Sequence, residues 1–295
     1  MARSMWQAAN FYPGSVFGKI IRLPLRLVPK NIGIPVLTGR MSGFKWISDS
    51  SNATCWIGVY ESEKQEVFSR IVKLGDVVFD LGSNVGFYTL LASRIAGPEG
   101  RVFSFEPSVR NVFYLRRHLQ MNAIENCRVI AAAVSSQEGT AHFEVSKLPV
   151  TGRITSESST SDYDVKTVTL DGMVGRGLLP RPNVIKCDIE GEEFEALRGA
   201  RATLLQYKPV ILLATHGAAV HARCCDLLRE LGYRLTSLEP SQDLRITDEV
   251  LAEPAYSTED ASYSRAVKHY ERTKLRSCGG LPHLSACFKN PGYVS

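Results

Sequence analysis

One stretch, Val77–Tyr88, indicates how this chain folds; it reads Val-Val-Phe-Asp-Leu-Gly-Ser-Asn-Val-Gly-Phe-Tyr. Its first three residues are apolar, which predicts a strand buried on both faces of a sheet. The strand ends at Asp80, and a loop that contains Gly82 and Gly86 leads into an apolar helix. We expect a ligand to lie against the backbone of Gly82, and the helix start to pack closely on the strand at Gly86. This order of elements is typical of a nucleotide site at the carboxyl edge of a parallel sheet.

A second acidic residue, Glu106, follows the next predicted strand, Arg101–Phe105. A carboxylate there can accept hydrogen bonds from both hydroxyls of a ribose. A dinucleotide site has the glycine pattern G-x-G-x-x-G, because a pyrophosphate must settle on the helix N-terminus. Here the pattern is G-x-x-x-G, which favours S-adenosylmethionine, a ligand without a pyrophosphate, with Asp80 near its cationic amino acid end. The residues predicted to bind this cofactor are Asp80, Gly82, Asn84, Gly86, Glu106 and Ala133.

Strand-like and helix-like segments alternate from Val77 to Leu238, which predicts a doubly wound, mostly parallel sheet with helices on both faces. Ala133 lies near the end of the third predicted strand, where a small apolar residue suits a flat adenine ring. A short strand followed by a helix is predicted for Trp56–Val72. Further strands are predicted at Cys127–Val134, Gly139–Val145, Val165–Leu170, Asn183–Asp188, Lys208–Thr215 and Tyr233–Leu238, and helices at Val109–Asn122 and Val220–Leu231.

Three motifs resemble those of the FkbM family of S-adenosylmethionine-dependent methyltransferases: Asp80–Thr89, Phe105–Pro107 and Ile185–Gly191. The third reads Ile-Lys-Cys-Asp-Ile-Glu-Gly, and the resemblance extends over most of the chain. It implies a Rossmann-like sheet of seven strands of the class I methyltransferase type, with S-adenosylmethionine as the cofactor. It also implies a small hydroxylated acceptor, a sugar or a secondary metabolite. The family usually has a glutamate where this chain has Ala214, and this departure weakens any metal site on that strand.

The chemistry is expected at the carboxyl ends of the fourth and fifth strands. Asp188 ends the fourth strand, which opens onto the same crevice as the cofactor, so it is expected to face the transferred methyl group. A hydroxyl acceptor must lose its proton as the new bond forms, and a carboxylate or an imidazole can take it. Asp188 is the first candidate base and Glu190 the second. His216 follows the fifth strand and is a candidate base or a metal partner of Asp188.

Structural roles compete with these catalytic ones. Glu190, Glu192 and Glu193 lie at a predicted helix N-terminus, where the helix dipole favours carboxylates without any catalytic role. We assign that structural role to Glu192 and Glu193, whereas both roles stay open for Glu190. A lone histidine is more often structural than catalytic, so both roles stay open for His216 as well. No set of metal ligands is predicted.

Three parts are predicted along the chain: a basic arm over residues 1–50, the cofactor-binding domain over 51–240, and a polar insertion with a closing strand over 241–295. Met1–Ser48 carries seven basic residues and no acidic one. This arm packs on the domain or on a second subunit, or it contacts an anionic membrane or an acidic partner. Lys147–Asp164 is expected to be a loop over the active site. Leu281–Phe288 is the candidate for an antiparallel seventh strand.

The composition limits the classes of function. The formal net charge of +5 is spread along 295 residues, so nucleic acid is not an expected partner. The seven cysteines include no C-x-x-C pair, and no apolar run reaches the length of a signal peptide or a membrane span. A cytoplasmic methyltransferase is therefore expected. An NAD-dependent oxidoreductase and a nucleotide-binding module without turnover remain as alternatives. The residues alone do not distinguish an oxygen from a nitrogen acceptor, and the resemblance favours O-methylation.

Overall fold

The computed structural model describes residues 28–145, 152–154, 163–239, 242–245 and 247–255. Those up to Pro254 belong to one compact unit. The strands are β1 Gly33–Pro35, β2 Lys45–Ile47, β3 Val77–Leu81, β4 Arg101–Phe105, β5 Cys127–Ile130, β6 Ala133–Val134, β7 Gly139–Val145, β8 Gly152–Ile154, β9 Tyr163–Val168, β10 Val184–Cys187, β11 Val210–Ala214, β12 Tyr233–Ser237 and β13 Glu249–Pro254. The helices are α1 Ala53–Ile57, α2 Ser62–Ile71, α3 Phe87–Ala96, α4 Val109–Met121, α5 Leu170–Gly175, α6 Glu193–Arg198, α7 Arg201–Tyr207 and α8 Ala218–Glu230.

Seven strands form the main sheet in the order β12-β13-β11-β10-β3-β4-β5. The sheet is parallel except for β13, which is antiparallel to both of its neighbours, β11 and β12. β3 lies between β10 and β4, and Val78 is paired with Val184 on one side and Val102 on the other. The strand order reverses at β3, and open α/β sheets bind ligands at the carboxyl edge of such a point. The predicted doubly wound, mostly parallel, seven-stranded fold is confirmed.

Each face of the main sheet carries its own apolar core. Because side chains alternate along a strand, Val78 joins one core and Phe79 the other. The core that contains Val78 is covered by α2, α3 and α4, with Trp46 from β2 also buried in it. The core that contains Phe79 is covered by α5, α6, α7 and α8. Strands buried on both faces explain the continuous apolar runs in the sequence.

The third predicted strand, Cys127–Val134, is divided in the structure. Its first half is β5 in the main sheet, and a tight turn follows in which the Ala132 N–H donates to the Ile130 carbonyl at 2.9 Å. Its second half, β6, pairs with β9 in a separate four-stranded sheet of order β6-β9-β7-β8. The residues at this junction, Val129–Val134, are all apolar, so the change from one sheet to the other could not be predicted from the sequence. Ala133 in β6 lines the central cavity, and its predicted contact with adenine stays a prediction.

The predicted strand at Trp56 is wrong, because this residue lies in the short helix α1. The Asn52 side chain accepts a hydrogen bond from the Thr54 N–H at 3.0 Å and caps the helix start. Gly58 ends the helix in the left-handed conformation at φ +95°. The apolar residues of this stretch suit a strand as well as a helix. The cap at each end favours the five-residue helix.

The place of the closing strand is taken by β13, between β11 and β12. It lies within the stretch interpreted as a polar insertion, whereas the candidate Leu281–Phe288 lies outside the described residues. Only Val250 and Ala252 of β13 are fully buried, and glutamates occupy its first and fifth positions. The alternation of buried and half-buried residues suits a strand, but six residues of mixed polarity give a weak signal in the sequence.

Part of the basic arm packs on the domain. β1 and β2 form an antiparallel pair, and Trp46 is fully buried with its ring stacked on His118 at a centroid distance of 4.0 Å. Residues 1–27, which include most of the basic positions of the arm, lie outside the described residues, as do most positions of the predicted loop Lys147–Asp164. No helix in the described part of the chain is long and apolar enough to cross a membrane.

Candidate active site

A cavity of about 350 Å³ opens at the carboxyl edge of the main sheet. The glycine turn after β3 forms one side of it, and Glu106, which follows β4, forms another. Asp188 follows β10 and His216 follows β11, and both line the same cavity. Ala133 in β6 adds a small apolar surface. Parallel strands bring their carboxyl ends to one edge, so residues that are far apart in the sequence meet here, as predicted.

The two glycines of the turn are required for reasons that differ from the expected ones. Gly82 has φ +73°, and a Cβ there would lie 1.9 Å from the carbonyl oxygen of Asp188. Its missing side chain thus makes room for the neighbouring backbone rather than for a ligand. Gly86 has φ +99°, and a Cβ there would lie 2.4 Å from Cδ1 of Leu115 in α4, not against the strand. Both positions need the left-handed backbone that glycine adopts without strain.

Glu106 is buried and held in a fixed orientation. Its Oε2 accepts a hydrogen bond from the Asn84 N–H at 2.8 Å, and its Oε1 accepts from the Ser108 N–H at 2.9 Å and the Asn111 amide at 3.3 Å. Burial raises the pKa of Glu106, and these hydrogen bonds offset that effect only in part. A carboxylate has about four acceptor positions. The described residues use three of them and leave one acceptor position on Oε2, so the predicted contact of Glu106 with a ribose stays a prediction.

Asp80 lies behind the cavity wall. It is fully buried, its Oδ2 accepts a hydrogen bond from the Thr89 hydroxyl at 2.7 Å, and its Oδ1 lies 3.4 Å from Nζ of Lys186. The expected direct contact with the amino acid end of the cofactor therefore does not follow from this placement. Asp80 acts on the cavity through Lys186, which does line it.

Lys186 is a buried cation that the sequence analysis did not single out. Its Nζ donates to the Gly82 carbonyl at 2.9 Å and lies 3.9 Å from Oδ2 of Asp188. Burial on its own would lower the pKa of Lys186, but the carboxylates of Asp80 and Asp188 raise it above its usual value. A lysine within an otherwise apolar strand was the available signal, because such a residue is rarely buried without a partner.

Three basic side chains lie close to the carboxylate of Asp188. Its Oδ2 lies 3.8 Å from Nζ of Lys64 and 3.9 Å from Nζ of Lys186, and its Oδ1 lies 3.8 Å from Nε2 of His216. Burial would raise the pKa of Asp188, but the three cations together hold it below its usual value. The carboxylate is therefore ionised at neutral pH and available as a hydrogen-bond acceptor on the cavity wall.

His216 is oriented by Glu193, a residue to which we had assigned only a helix-dipole role. Glu193 is fully buried, and its Oε1 accepts hydrogen bonds from Nδ1 of His216 at 2.8 Å and from the Gly191 N–H at 2.9 Å. The hydrogen bond to Glu193 raises the pKa of His216 to about 9, with further help from Asp188 and Glu190. The ring is thus protonated at neutral pH, when it acts as a donor and not as a base.

Glu190 shares the cavity wall with this pair. Its Oε2 lies 3.6 Å from Nε2 of His216, and its backbone is left-handed at φ +57°. Burial raises the pKa of Glu190, and the carboxylates of Asp188 and Glu193 raise it further. Glu190 is more exposed than Asp188, which leaves it the second candidate for proton acceptance.

Two elements outside the central strands also reach the cavity. Lys64 from α2 is only 5% exposed, and its Nζ lies 2.5 Å from Oε1 of Glu249 in β13 and 3.2 Å from Oε2 of Glu61. The Tyr88 hydroxyl donates to the same Glu61 oxygen at 2.8 Å. The sequence analysis missed these residues, because only the tertiary fold brings α2 and β13 to the edge where Asp188 lies.

Comparison with known proteins gives a consistent result. The family model described as the methyltransferase FkbM domain matches residues 80–235, more than half of the chain. The hexuronic acid methyltransferase AglP of Haloferax volcanii is 30% identical over 175 residues, which cover 58% of this chain and 70% of that protein. A crystal structure of a methyltransferase FkbM from Methylobacillus flagellatus matches 70% of this chain and 56% of its own, at 17% identity and a TM-score of 0.42. Fibrillarin of Aeropyrum pernix, solved with bound S-adenosylmethionine, matches 62% of this chain and 67% of its own, at 17% identity and a TM-score of 0.39.

The family match and the Haloferax relative confirm the resemblance that the three sequence motifs predicted. The matched segment contains the glycine turn, Glu106, Asp188 and His216, which form much of the cavity wall. The cofactor of this domain is S-adenosylmethionine, which sets aside the NAD-dependent alternative. This chain is a member of the FkbM methyltransferase family.

Proposed function

We propose that this enzyme methylates a hydroxyl oxygen of a sugar or a related natural product, with Asp188 as the residue that orients the hydroxyl and accepts its proton. The observation that carries this proposal is the ionised Asp188 carboxylate on the cavity wall, held between Lys64, Lys186 and His216. A carboxylate is the acceptor that a hydroxyl donor requires. The name of the Haloferax relative, a hexuronic acid methyltransferase, supports a carbohydrate as the acceptor.

The proposed cofactor site lies between the glycine turn and β6. S-adenosylmethionine, when bound, supplies a methyl group on a sulfonium, which leaves readily as a thioether. Glu106 accepts a hydrogen bond from the ribose, and the Asn84 N–H holds its carboxylate in that orientation. Ala133 provides a flat apolar surface for the adenine. Gly82 and Gly86 contribute indirectly, because they allow the turn to approach Asp188 and α4.

Asp188 has the proton-accepting role because of its protonation state and its neighbours. Its lowered pKa makes it a weak base, but the acceptor oxygen becomes strongly acidic once its bond to the methyl carbon forms, so a weak base suffices. His216 is protonated at neutral pH and holds Oδ1 of Asp188 from the other side. Glu190, whose pKa is raised, is the second candidate for the same task.

The test measures transfer of a labelled methyl group from S-adenosylmethionine to methyl glycosides of hexuronic acids and of neutral hexoses, with the methylated atom assigned by mass spectrometry. We expect the wild type to methylate a hydroxyl and Asp188→Asn to lower kcat by about 100-fold or more. The exposed Asp226→Asn is the matched control.

S-adenosylhomocysteine binding, measured by calorimetry, separates loss of catalysis from loss of the cofactor site. We expect Asp188→Asn to keep this binding. Methylation at the carboxylate of the hexuronic acid, or full activity of Asp188→Asn, would contradict the proposal. Cofactor binding without methylation of any compound in the panel would favour the alternative of a module without turnover.

A further inference from the structure

Lys64 and Glu249 lie outside the segment that the family model matches, yet they line the same cavity as Asp188. Lys64 comes from α2, which precedes the main sheet, and Glu249 begins β13, which closes it. Their ion pair is the shortest that Lys64 makes, at 2.5 Å. The cavity wall is therefore completed by two elements from opposite ends of the domain, which converge on the residue proposed to handle the acceptor proton.

Lys64 lies close to two carboxylates and farther from a third, that of Asp188. An ammonium has three N–H donors. Glu249 at 2.5 Å and Glu61 at 3.2 Å lie within hydrogen-bond distance of Nζ, whereas Oδ2 of Asp188, at 3.8 Å, does not. A hydroxyl oxygen about 2.8 Å from both Nζ and Oδ2 spans this separation. It would accept the third N–H of Lys64 and donate its own proton to Asp188.

We propose that Lys64 is a catalytic residue that donates a hydrogen bond to the acceptor oxygen, and that Glu249 is the residue that positions it. This inference rests on the proposed hydroxyl methylation. The Nζ donor and the Asp188 acceptor fix two of the directions around the acceptor oxygen, and a lone pair then points to the methyl carbon. Burial alone would lower the pKa of Lys64, but Glu61, Asp188 and Glu249 raise it, so the side chain is an ammonium at neutral pH.

The methyl transfer needs only these groups, the acceptor and the cofactor. The acceptor oxygen forms a bond to the methyl carbon as the carbon–sulfur bond breaks, and the electron pair of that bond leaves with sulfur. The hydroxyl proton passes to Asp188. Lys64 gives up no proton; its hydrogen bond holds the oxygen in line and keeps the hydroxyl hydrogen directed at the carboxylate.

Lys186, the other lysine beside Asp188, is unsuited to this role. Its Nζ donates to the carbonyls of Gly82 and Leu81 at 2.9 Å and 3.5 Å and lies 3.4 Å from Oδ1 of Asp80. Its hydrogen bonds thus run to the end of β3 and to the glycine turn. Lys186 thus joins the glycine turn to Asp188, whereas Lys64 forms its two shortest ion pairs with side chains that line the cavity.

The test compares Lys64→Met, Glu249→Gln and the control Lys45→Met, an exposed lysine of β2, in the methyl glycoside assay described above. We expect Lys64→Met to lower kcat by about 100-fold or more with little change in KM. Glu249→Gln keeps an oxygen acceptor but loses the charge, so we expect a loss of about 10-fold. All three variants should bind S-adenosylhomocysteine as tightly as the wild type.

Each outcome has a defined consequence. Full kcat in Lys64→Met would overturn the catalytic role and leave the proposed function standing. Loss of S-adenosylhomocysteine binding in that variant would assign Lys64 to the cofactor and also overturn it. A wild type that methylates no hydroxyl in the panel would remove the proposed function and this inference together. If Lys64→Met does not fold, the Glu249→Gln variant provides the test. An unchanged kcat in Glu249→Gln would contradict the positioning role of Glu249.

Discussion

The charge of His216 depends chiefly on one buried residue, Glu193. Nδ1 of His216 lies 2.8 Å from Oε1 of Glu193, and this bond is the largest cause of a pKa raised to about 9. A histidine with a raised pKa stabilises the fold below its unfolded value of 6.5, and this contribution is lost as the pH rises through about 9. His216 therefore favours the folded protein at neutral pH and ceases to do so in mild alkali.

We predict that Glu193→Gln lowers the pKa of His216 towards 6.5, because the amide removes the negative charge but keeps an oxygen acceptor. NMR titration of the imidazole signals measures this shift directly. Glu192→Gln, at the neighbouring position in the chain, is the control and should leave the pKa near 9. A His216 pKa that stays near 9 in Glu193→Gln would mean that Asp188 and Glu190 hold the proton instead.

At the scale of elements, the contact between the glycine turn and the end of β10 builds the site. Gly82 approaches the backbone of Asp188 so closely that a Cβ would lie 1.9 Å from its carbonyl oxygen. The Lys186 ammonium then ties the two segments together through the Gly82 carbonyl at 2.9 Å. The glycine turn and Asp188 are thus fixed relative to each other by packed backbone and by the buried Lys186 side chain.

We predict that Gly82→Ala displaces Asp188 and weakens both stability and activity, because neither backbone can move without breaking the β3–β10 pairing. Gly75→Ala is the matched control: Gly75 also has a left-handed backbone, at φ +83°, but nothing lies within 4 Å of the added Cβ. It should cost only the left-handed strain of about 1–2 kcal/mol. For both variants, urea denaturation gives the free energy of unfolding and calorimetry gives the affinity for S-adenosylhomocysteine. Equal effects in the two would show that the close approach is unimportant.

The sequence predicted elements whose signal is local and missed those that depend on distant pairing. β3 and β4 were predicted because strands buried on both faces form continuous apolar runs. β13 was missed because its strand character comes from pairing with β11 and β12. The same limit applies to the site: Asp188 follows a strand and could be predicted, whereas the burial of Glu193 and the partners of Lys64 exist only once the chain is folded.

At the scale of the whole molecule, the family-matched segment ends before the sheet is complete. Residues 80–235 contain the glycine turn and Asp188, but β13 lies beyond them. This strand pairs with β11 on one side and with β12 on the other, and it separates these two strands. It therefore closes the sheet, and it also places Glu249 on the cavity wall. Stability and activity should therefore both depend on this strand.

Truncation separates these two contributions. We predict that a chain ending at Thr247 loses about 3 kcal/mol or more of unfolding free energy, because Val250 and Ala252 are no longer buried and β11 and β12 lose their pairing partner. A chain ending at Ala255 keeps every described strand and is the reference for this comparison. The full-length Glu249→Gln chain keeps the strand and removes only the charge. If the chain ending at Thr247 proves as stable as the one ending at Ala255, β13 does not close the sheet in solution, and Glu249 must then be removed from the account of Lys64 as well.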